Sequence, residues 1–166
     1  MSKDYLEEMK SLDLYEDFYR LKCQKDSVQW SGFEKEPEKE SFKEYIVKNI
    51  IDNPKNHLFL MKDGITNDVM GYCQFNEEGN GICEGRGSGL FKRYQGCGLA
   101  SVLNSLSVGK AREYGMKYMY SWCSEKNTPS IKALIDAGFK KTDIFEIRHM
   151  NVVNEDHKFF KWEIFL

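Results

Sequence analysis

The spacing of apolar residues along the chain changes several times, and each change marks an element. Leu14, Phe18 and Leu21 recur at helical intervals, which predicts a first helix over residues 12–24. Trp30-Ser31-Gly32 follows as a loop. A mixed-charge run from Glu34 to Glu40 surrounds Pro37. Beyond it Phe42, Tyr45, Ile46 and Ile50 repeat at helical spacing and predict a second helix that stops before Asn53-Pro54. His57 to Met61 has the composition of a buried strand, Asp63-Gly64 that of a turn, and Val69 to Phe75 that of a further strand closed by Glu77-Glu78-Gly79-Asn80-Gly81. These segments make a hairpin-like meander.

Ile82 to Phe91 extends the meander as a glycine-rich strand. In a regular strand Glu84, Arg86, Ser88 and Leu90 face one way and Gly85, Gly87 and Gly89 the other, leaving one face without side chains. Such a face suits a closely packed helix or a ligand lying along bare backbone. Gln95-Gly96-Cys97-Gly98-Leu99-Ala100 then turns into an amphipathic helix with Leu99, Val102, Leu103 and Leu106 on one face and Gly115 as its stop. Lys117 to Cys123 predicts a strand. Thr128 is the expected cap of a short helix that starts at Pro129, carries Ile131, Leu134 and Ile135, and ends at Gly138. Lys140 to Val152 and Lys158 to Leu166 predict a final antiparallel pair. No linker, repeat or low-complexity segment interrupts the chain, so residues 1–166 are expected to form one domain.

Composition narrows the function classes. With 24 Lys+Arg against 26 Asp+Glu and a net charge of −2, the chain lacks the basic surface of a nucleic-acid-binding protein, although Lys92-Arg93 forms a local basic pair. The five cysteines (Cys23, Cys73, Cys83, Cys97 and Cys123) show no C-x-x-C pair, which points to reduced thiols in a cytoplasmic protein. The charged N-terminus has no signal core, and no run approaches a membrane span, so neither a membrane nor a nucleic acid is an expected partner. His57, His149 and His157 have no ligand spacing; structural or solvated roles are expected, and no metal is implied. Phe59, Phe75, Phe139, Phe145 and Phe165 are assigned to core packing.

The glycine turn carries the chemistry. Successive backbone N–H groups at the start of a helix, added to its dipole, form a cradle for phosphate. A nucleotide P-loop is excluded because no Gly-Lys-Ser/Thr occurs. A dinucleotide-binding unit has Gly96-x-Gly98 after a strand and Glu125 at the end of the next, but Ser101 stands at its third glycine and the chain leaves no room for a doubly wound sheet. Cys97 is taken as a small turn residue: a bound pyrophosphate would oppose thiolate formation, and no His lies within the motif.

Gln95-x-x-Gly98-x-Ala100 resembles the acyl-coenzyme A signature of the GNAT superfamily of N-acetyltransferases. A second landmark falls in register: Asn127-x-x-Ser130 followed by Gly138-Phe139, with the expected eleven residues from Asn to Gly. The element order from about residue 10 to 166 also resembles that family. The resemblance implies an α/β (α+β) fold with a mixed, mostly antiparallel sheet of six to seven strands and about four flanking helices. It implies acetyl-coenzyme A as co-substrate, a small-molecule or peptide amine as acceptor, and direct transfer in a ternary complex by a monomer or homodimer.

Residue roles come with the resemblance. The N–H groups from Gln95 through Gly96, Cys97, Gly98 and Leu99 to Ala100 would hold the pyrophosphate. The edge at Leu90, Phe91 and Lys92 would pair with the pantetheine arm where the fourth and fifth strands part, and Asn127 would contact that arm. Glu84, eleven residues before Gln95, corresponds to a family catalytic base; an ion pair with Arg86 is its competing role. Leu134 stands where many family members carry the tyrosine general acid, which leaves Ser130 as substitute and gives the closest likeness to the ribosomal-protein N-acetyltransferase branch and its small-molecule relatives. Tyr15, Tyr19 and Trp30 fall in the region that walls the acceptor site. A non-catalytic acyl-coenzyme A-binding domain and a nicotinamide oxidoreductase are the alternatives.

Overall fold

A computed structural model describes residues 3–31 and 34–166. Seven strands form one sheet in the order β1-β2-β3-β4-β5-β7-β6: β1 Tyr5–Glu8, β2 Asn56–Lys62, β3 Val69–Gly79, β4 Ile82–Leu90, β5 Tyr118–Ser124, β6 Lys140–Met150 and β7 Glu155–Phe165. Neighbouring strands run antiparallel except β4 and β5, which run parallel. One parallel pair in an otherwise antiparallel sheet excludes the doubly wound nicotinamide-binding alternative.

The helices are α1 Tyr15–Lys22, α2 Lys25–Ser31, α3 Lys39–Ile46, α4 Leu99–Glu113 and α5 Thr128–Asp136. Strand β2 shows how they use the sheet. Leu58 and Leu60 pack with Phe18 and Leu21 of α1 and Phe42 and Ile46 of α3, whereas Phe59 and Met61 pack with Leu103, Val108 and Ala111 of α4 and Leu134 of α5. Successive strand residues point to opposite faces, so helices cover both and β2 is apolar throughout rather than alternating.

Several local expectations change. Trp30 lies in α2, not in a loop; Gly32 falls outside the described residues. The cap of α5 is Asn127, whose side chain accepts a hydrogen bond from the Ser130 N–H at 3.4 Å, and Thr128 is already helical. Phe145, on the edge strand β6, and Phe165, at the end of β7, are 48% and 74% exposed; Phe59, Phe75 and Phe139 are buried as expected. His57 is buried between two carboxylates, Glu8 at 2.8 Å and Glu77 at 2.6 Å, and Glu8 also accepts from Tyr114 beyond the end of α4. This cluster ties β1, β2 and β3 to that helix end.

Candidate active site

Strand β4 departs from regular alternation at Arg86. Gly87 pairs with Gln74 and Gly85 with Phe75, so Arg86 is an extra residue with no cross-strand partner. The bulge places Gly87 at φ 138°, a backbone region that side chains rarely adopt. It also reverses the faces beyond it. Cys83 and Leu90 both lie in the core beneath α4, whereas Gly87 and Gly89 lie against Tyr72 on the α1/α3 side. Glu84 pairs with Asn76, next but one to Gln74, and so shares a face with Gly87 and Gly89; it does not face away from them as strict alternation predicts.

The same region opens the sheet. Strands β4 and β5 are paired only from Ile82–Tyr118 to Gly85–Ser121, where the Ser121 hydroxyl donates to the Gly85 carbonyl at 3.2 Å. Beyond that point β4 stays with β3 and β5 stays with β7, and the two part. A cleft of about 1390 Å³ enters between them, reaching both the Gly96–Gly98 turn and the α1/α3 face of the sheet. It is larger than the roughly 300–1,000 Å³ of a single small-ligand pocket and has room for two reactants.

At the turn, Gly96 and Gly98 have φ 81° and 85°, and nothing lies within 4 Å of where a Cβ would stand on either. The N–H groups of Gly96, Cys97, Gly98, Leu99 and Ala100 make no hydrogen bond among the described residues, whereas that of Gln95 donates to the Lys92 carbonyl at 3.1 Å. The open donor row therefore starts at Gly96. The 15-residue helix α4 begins directly behind it. Unpaired donors, space in front of them and a helix dipole together fit a pyrophosphate. The Cys97 thiol turns back to the Tyr94 carbonyl at 3.2 Å.

The edge at Leu90–Lys92 is already in use. The Gln24 carboxamide donates to the Leu90 carbonyl at 2.9 Å and accepts from the Lys92 N–H at 3.0 Å, while Phe91 N–H stays with Met70 of β3. Gln95 adds a second donor to the Leu90 carbonyl at 3.0 Å and holds Asp26 of α2 at 2.9 Å. The amide of Gln24 thus fills the two positions that a strand-like amide ligand would take there, and no spacing in the sequence signals a contact across 66 residues.

Around the cleft, Glu84 is largely shielded at 18% side-chain exposure and lies 3.4 Å from Arg86, a long ion pair with a partner that is 51% exposed. Asn127 and Ser130 both line the cleft at the start of α5, and Trp30 lines it from α2. Tyr15 and Tyr19 are not brought to it: their hydroxyls donate to the carbonyls of Lys39 and Pro37, and Tyr15 is buried under α3. Leu134 packs in the core and also lines the cleft from α5, where its apolar side chain offers no proton donor. Burial pushes the Cys73 thiol up to about 12 and raises that of Cys123, so neither cysteine lining the cleft is a ready nucleophile.

A wall that the sequence did not reveal comes from β5, β6 and β7. Arg148 lies with its guanidinium 4.6 Å from the Phe159 ring and 5.7 Å from Trp122, and Trp30 packs at 5.7 Å on His157, the cross-strand neighbour of Arg148. His157 is held by Ser124 at 3.2 Å and Glu155 at 3.0 Å. Periodicity marks these strands but not which faces of a terminal hairpin meet an N-terminal helix.

A mixed sheet that opens beside a glycine turn at a helix start is the architecture of an acetyltransferase domain. The model of the acetyltransferase (GNAT) family matches residues 13–139, and the chain belongs to that family. A spermidine N-acetyltransferase from Vibrio cholerae, solved with CoA and spermine, superposes with a TM-score of 0.85 at 15% identity over 98% of this chain and 95% of that one. A GNAT-family acetyltransferase from Bacillus anthracis gives 0.77 at 18% identity over 99% and 96%. A ribosomal-protein-alanine N-acetyltransferase from Brucella melitensis gives 0.78 at 12% over 97% and 99%. At these identities the likeness is one of fold. No curated protein sequence matches the chain.

Proposed function

We propose that residues 1–166 form one N-acetyltransferase domain that moves the acetyl group of acetyl-coenzyme A to a primary amine in a ternary complex. The observation that carries this reading is the parting of β4 and β5 beyond Gly85 and Ser121, continuous with the unpaired donors of Gly96 to Ala100. A thioester arm entering through the parting would bring its carbonyl beside β4 while its pyrophosphate rests on the turn. Glu84, on the cleft face, takes a proton from the attacking amine directly or through water. The new N–C bond forms as the C–S bond breaks, and the thiolate leaves with a reference pKa of about 8.5 for a thiol, low enough to need little help. Ser130, which lines the same cleft, would donate to it. The raised pKa values of Cys73 and Cys123 favour direct transfer over an acetyl-cysteine intermediate.

The acceptor is a small metabolite amine or a protein N-terminus, and the solved relative with spermine adds a polyamine to the classes to be compared. Leu134, an apolar cleft residue that cannot donate a proton, is the observation behind a second reading, a coenzyme A-binding domain without turnover. A thermal-shift comparison of acetyl-coenzyme A with NADH, followed by thiol release across an amine library, tests both. Acetyl-coenzyme A should raise Tm and NADH should not. Absence of any shift defeats the cofactor assignment, and a shift without thiol release from any amine favours the second reading.

A further inference from the structure

The charge lining the cleft does not favour a polycation, because Lys22, Arg86, Lys126 and Arg148 accompany the three carboxylates Asp26, Glu38 and Glu84. Asp26 accepts from Gln95 at 2.9 Å and Glu38 caps α3 by accepting from Glu40 and Ser41 N–H groups at 3.1 and 2.7 Å, neutral donors that leave both charges in place, and Glu84 faces Arg86 at 3.4 Å. Only Glu84 among these lies on the sheet where an acetyl group would arrive. A polyamine needs several carboxylates for its several ammonium groups, and it would set at least one of them beside Arg86 or Arg148.

Arg148 has the geometry of an anion reader. Phe159 and Trp122 hold its guanidinium over the cleft wall, and Glu146 accepts from its Nε. The two terminal nitrogens have no partner among the described residues. They present the parallel donors that a carboxylate or phosphate accepts in pairs, on a support of two rings that limits the entropy lost on binding. Gln74 and Asn76, whose side chains hydrogen-bond to each other at 2.9 Å, line the cleft between this wall and α3 and add neutral polar groups instead of negative charge.

We propose that the acceptor is an amine that carries an oxyanion, a carboxylate or a phosphate, with its nitrogen at Glu84 and its anion on Arg148. This rests on the acetyltransfer reading above and names its substrate class. The test measures kcat/KM by thiol release on matched pairs: glucosamine 6-phosphate against glucosamine, amino acids against their amides, and spermidine as the polycation. One anionic member should exceed its neutral counterpart by about tenfold or more and should exceed spermidine, and which pair responds separates phosphate from carboxylate. Arg148→Met should bring that ratio close to one through KM while leaving the KM for acetyl-coenzyme A unchanged, and Arg148→Lys should keep part of it. Preference for spermidine or a neutral amine overturns the proposal, as does a ratio that survives Arg148→Met. Coenzyme A binding by calorimetry without turnover of any anionic amine also overturns it and leaves the cofactor assignment standing. A wild-type protein that binds no coenzyme A defeats the acetyltransfer reading and this inference with it.

Discussion

Cys83 and Leu90 face the same core although they stand seven positions apart on one strand. An odd separation puts residues on opposite faces of a regular strand, so the pair records the extra residue at Arg86. Without the bulge, Leu90 would leave the core beneath α4 if Cys83 kept its place. With it, one strand serves two purposes: Cys83, Gly85, Ser88 and Leu90 face the α4 side, while Glu84, Gly87 and Gly89 face the cleft side.

Glu84 on that side is the basis of the first prediction. Glu84→Gln keeps the shape and removes the carboxylate proposed as base, so turnover at neutral pH should fall about 100-fold or more with affinity for acetyl-coenzyme A nearly unchanged. The deficit should shrink as pH rises toward the pKa of the acceptor amine, because the free amine then needs no base. A steady-state pH profile of variant and wild type decides it. Full activity of the variant at every pH would leave Glu84 only its ion pair with Arg86.

Gly98 supplies the second. Its φ of 85° makes a valine there strained by about 1–2 kcal/mol, but no atom within 4 Å of the Cβ position forces the fold apart. The valine instead occupies the space in front of the unpaired N–H row. Gly98→Val should therefore stay folded by circular dichroism and lose measurable binding of acetyl-coenzyme A by calorimetry. Retained affinity in the folded variant removes the pyrophosphate from the turn.

The elements legible in the sequence are those whose packing is local. Leu14, Phe18 and Leu21 mark α1 because a helix repeats within itself, and the apolar run of β2 follows from helices on both faces. Strand β1 was missed: its four residues, Tyr-Leu-Glu-Glu, bury only Leu6, and pairing with β2 across more than fifty residues is what makes it a strand. The seven-residue α2 is also short, and Gln24 and Asp26 beside and within it are anchored to the end of β4 and to Gln95. At the site, the glycine turn was legible because a helix start writes its donors into adjacent residues, whereas the cap of α5 was assigned to Thr128, one residue past Asn127, because several polar residues in a row can each serve as a cap. Arg148 and Gln24 were not legible, since each acts on a partner that only the folded sheet brings near. The misplacement of Tyr15 and Tyr19 has the same cause, for a helix has several faces and the spacing does not say which one meets a ligand.

Gln24 gives a prediction of its own. Its carboxamide holds the Leu90 carbonyl and the Lys92 N–H that an entering amide-bearing arm would need. Gln24→Ala should speed hydrogen exchange at Lys92 in the free protein. It should also tighten acetyl-coenzyme A binding about fivefold, the worth of one net hydrogen bond of roughly 1 kcal/mol. Weaker binding in the variant would mean that Gln24 holds the turn in its binding shape and does not compete for it.

The last prediction concerns Glu8, whose carboxylate joins β1 to His57 and Tyr114 away from the cleft. Burial pushes its pKa up, but hydrogen bonds from Tyr114 and His57 and the charges of His57 and Lys10 outweigh that and hold it below the usual 4.5. A carboxyl whose folded pKa lies below its unfolded one binds its proton more readily when unfolded. It therefore adds stability that is fully present above the unfolded value and is lost as pH falls through the folded one. Wild-type stability should thus decline as pH drops below about 4.5, in part through this group. Glu8→Gln removes the charge-assisted bonds and should cost about 1.5–3 kcal/mol at pH 7, the worth of hydrogen bonds to a charged group. Urea unfolding of both proteins from pH 7 to pH 3 checks the sign: the gap between them should narrow toward the acid end. A gap that stays constant over that range would assign the loss at neutral pH to packing around Tyr114 and His57, with no contribution from the ionised carboxylate.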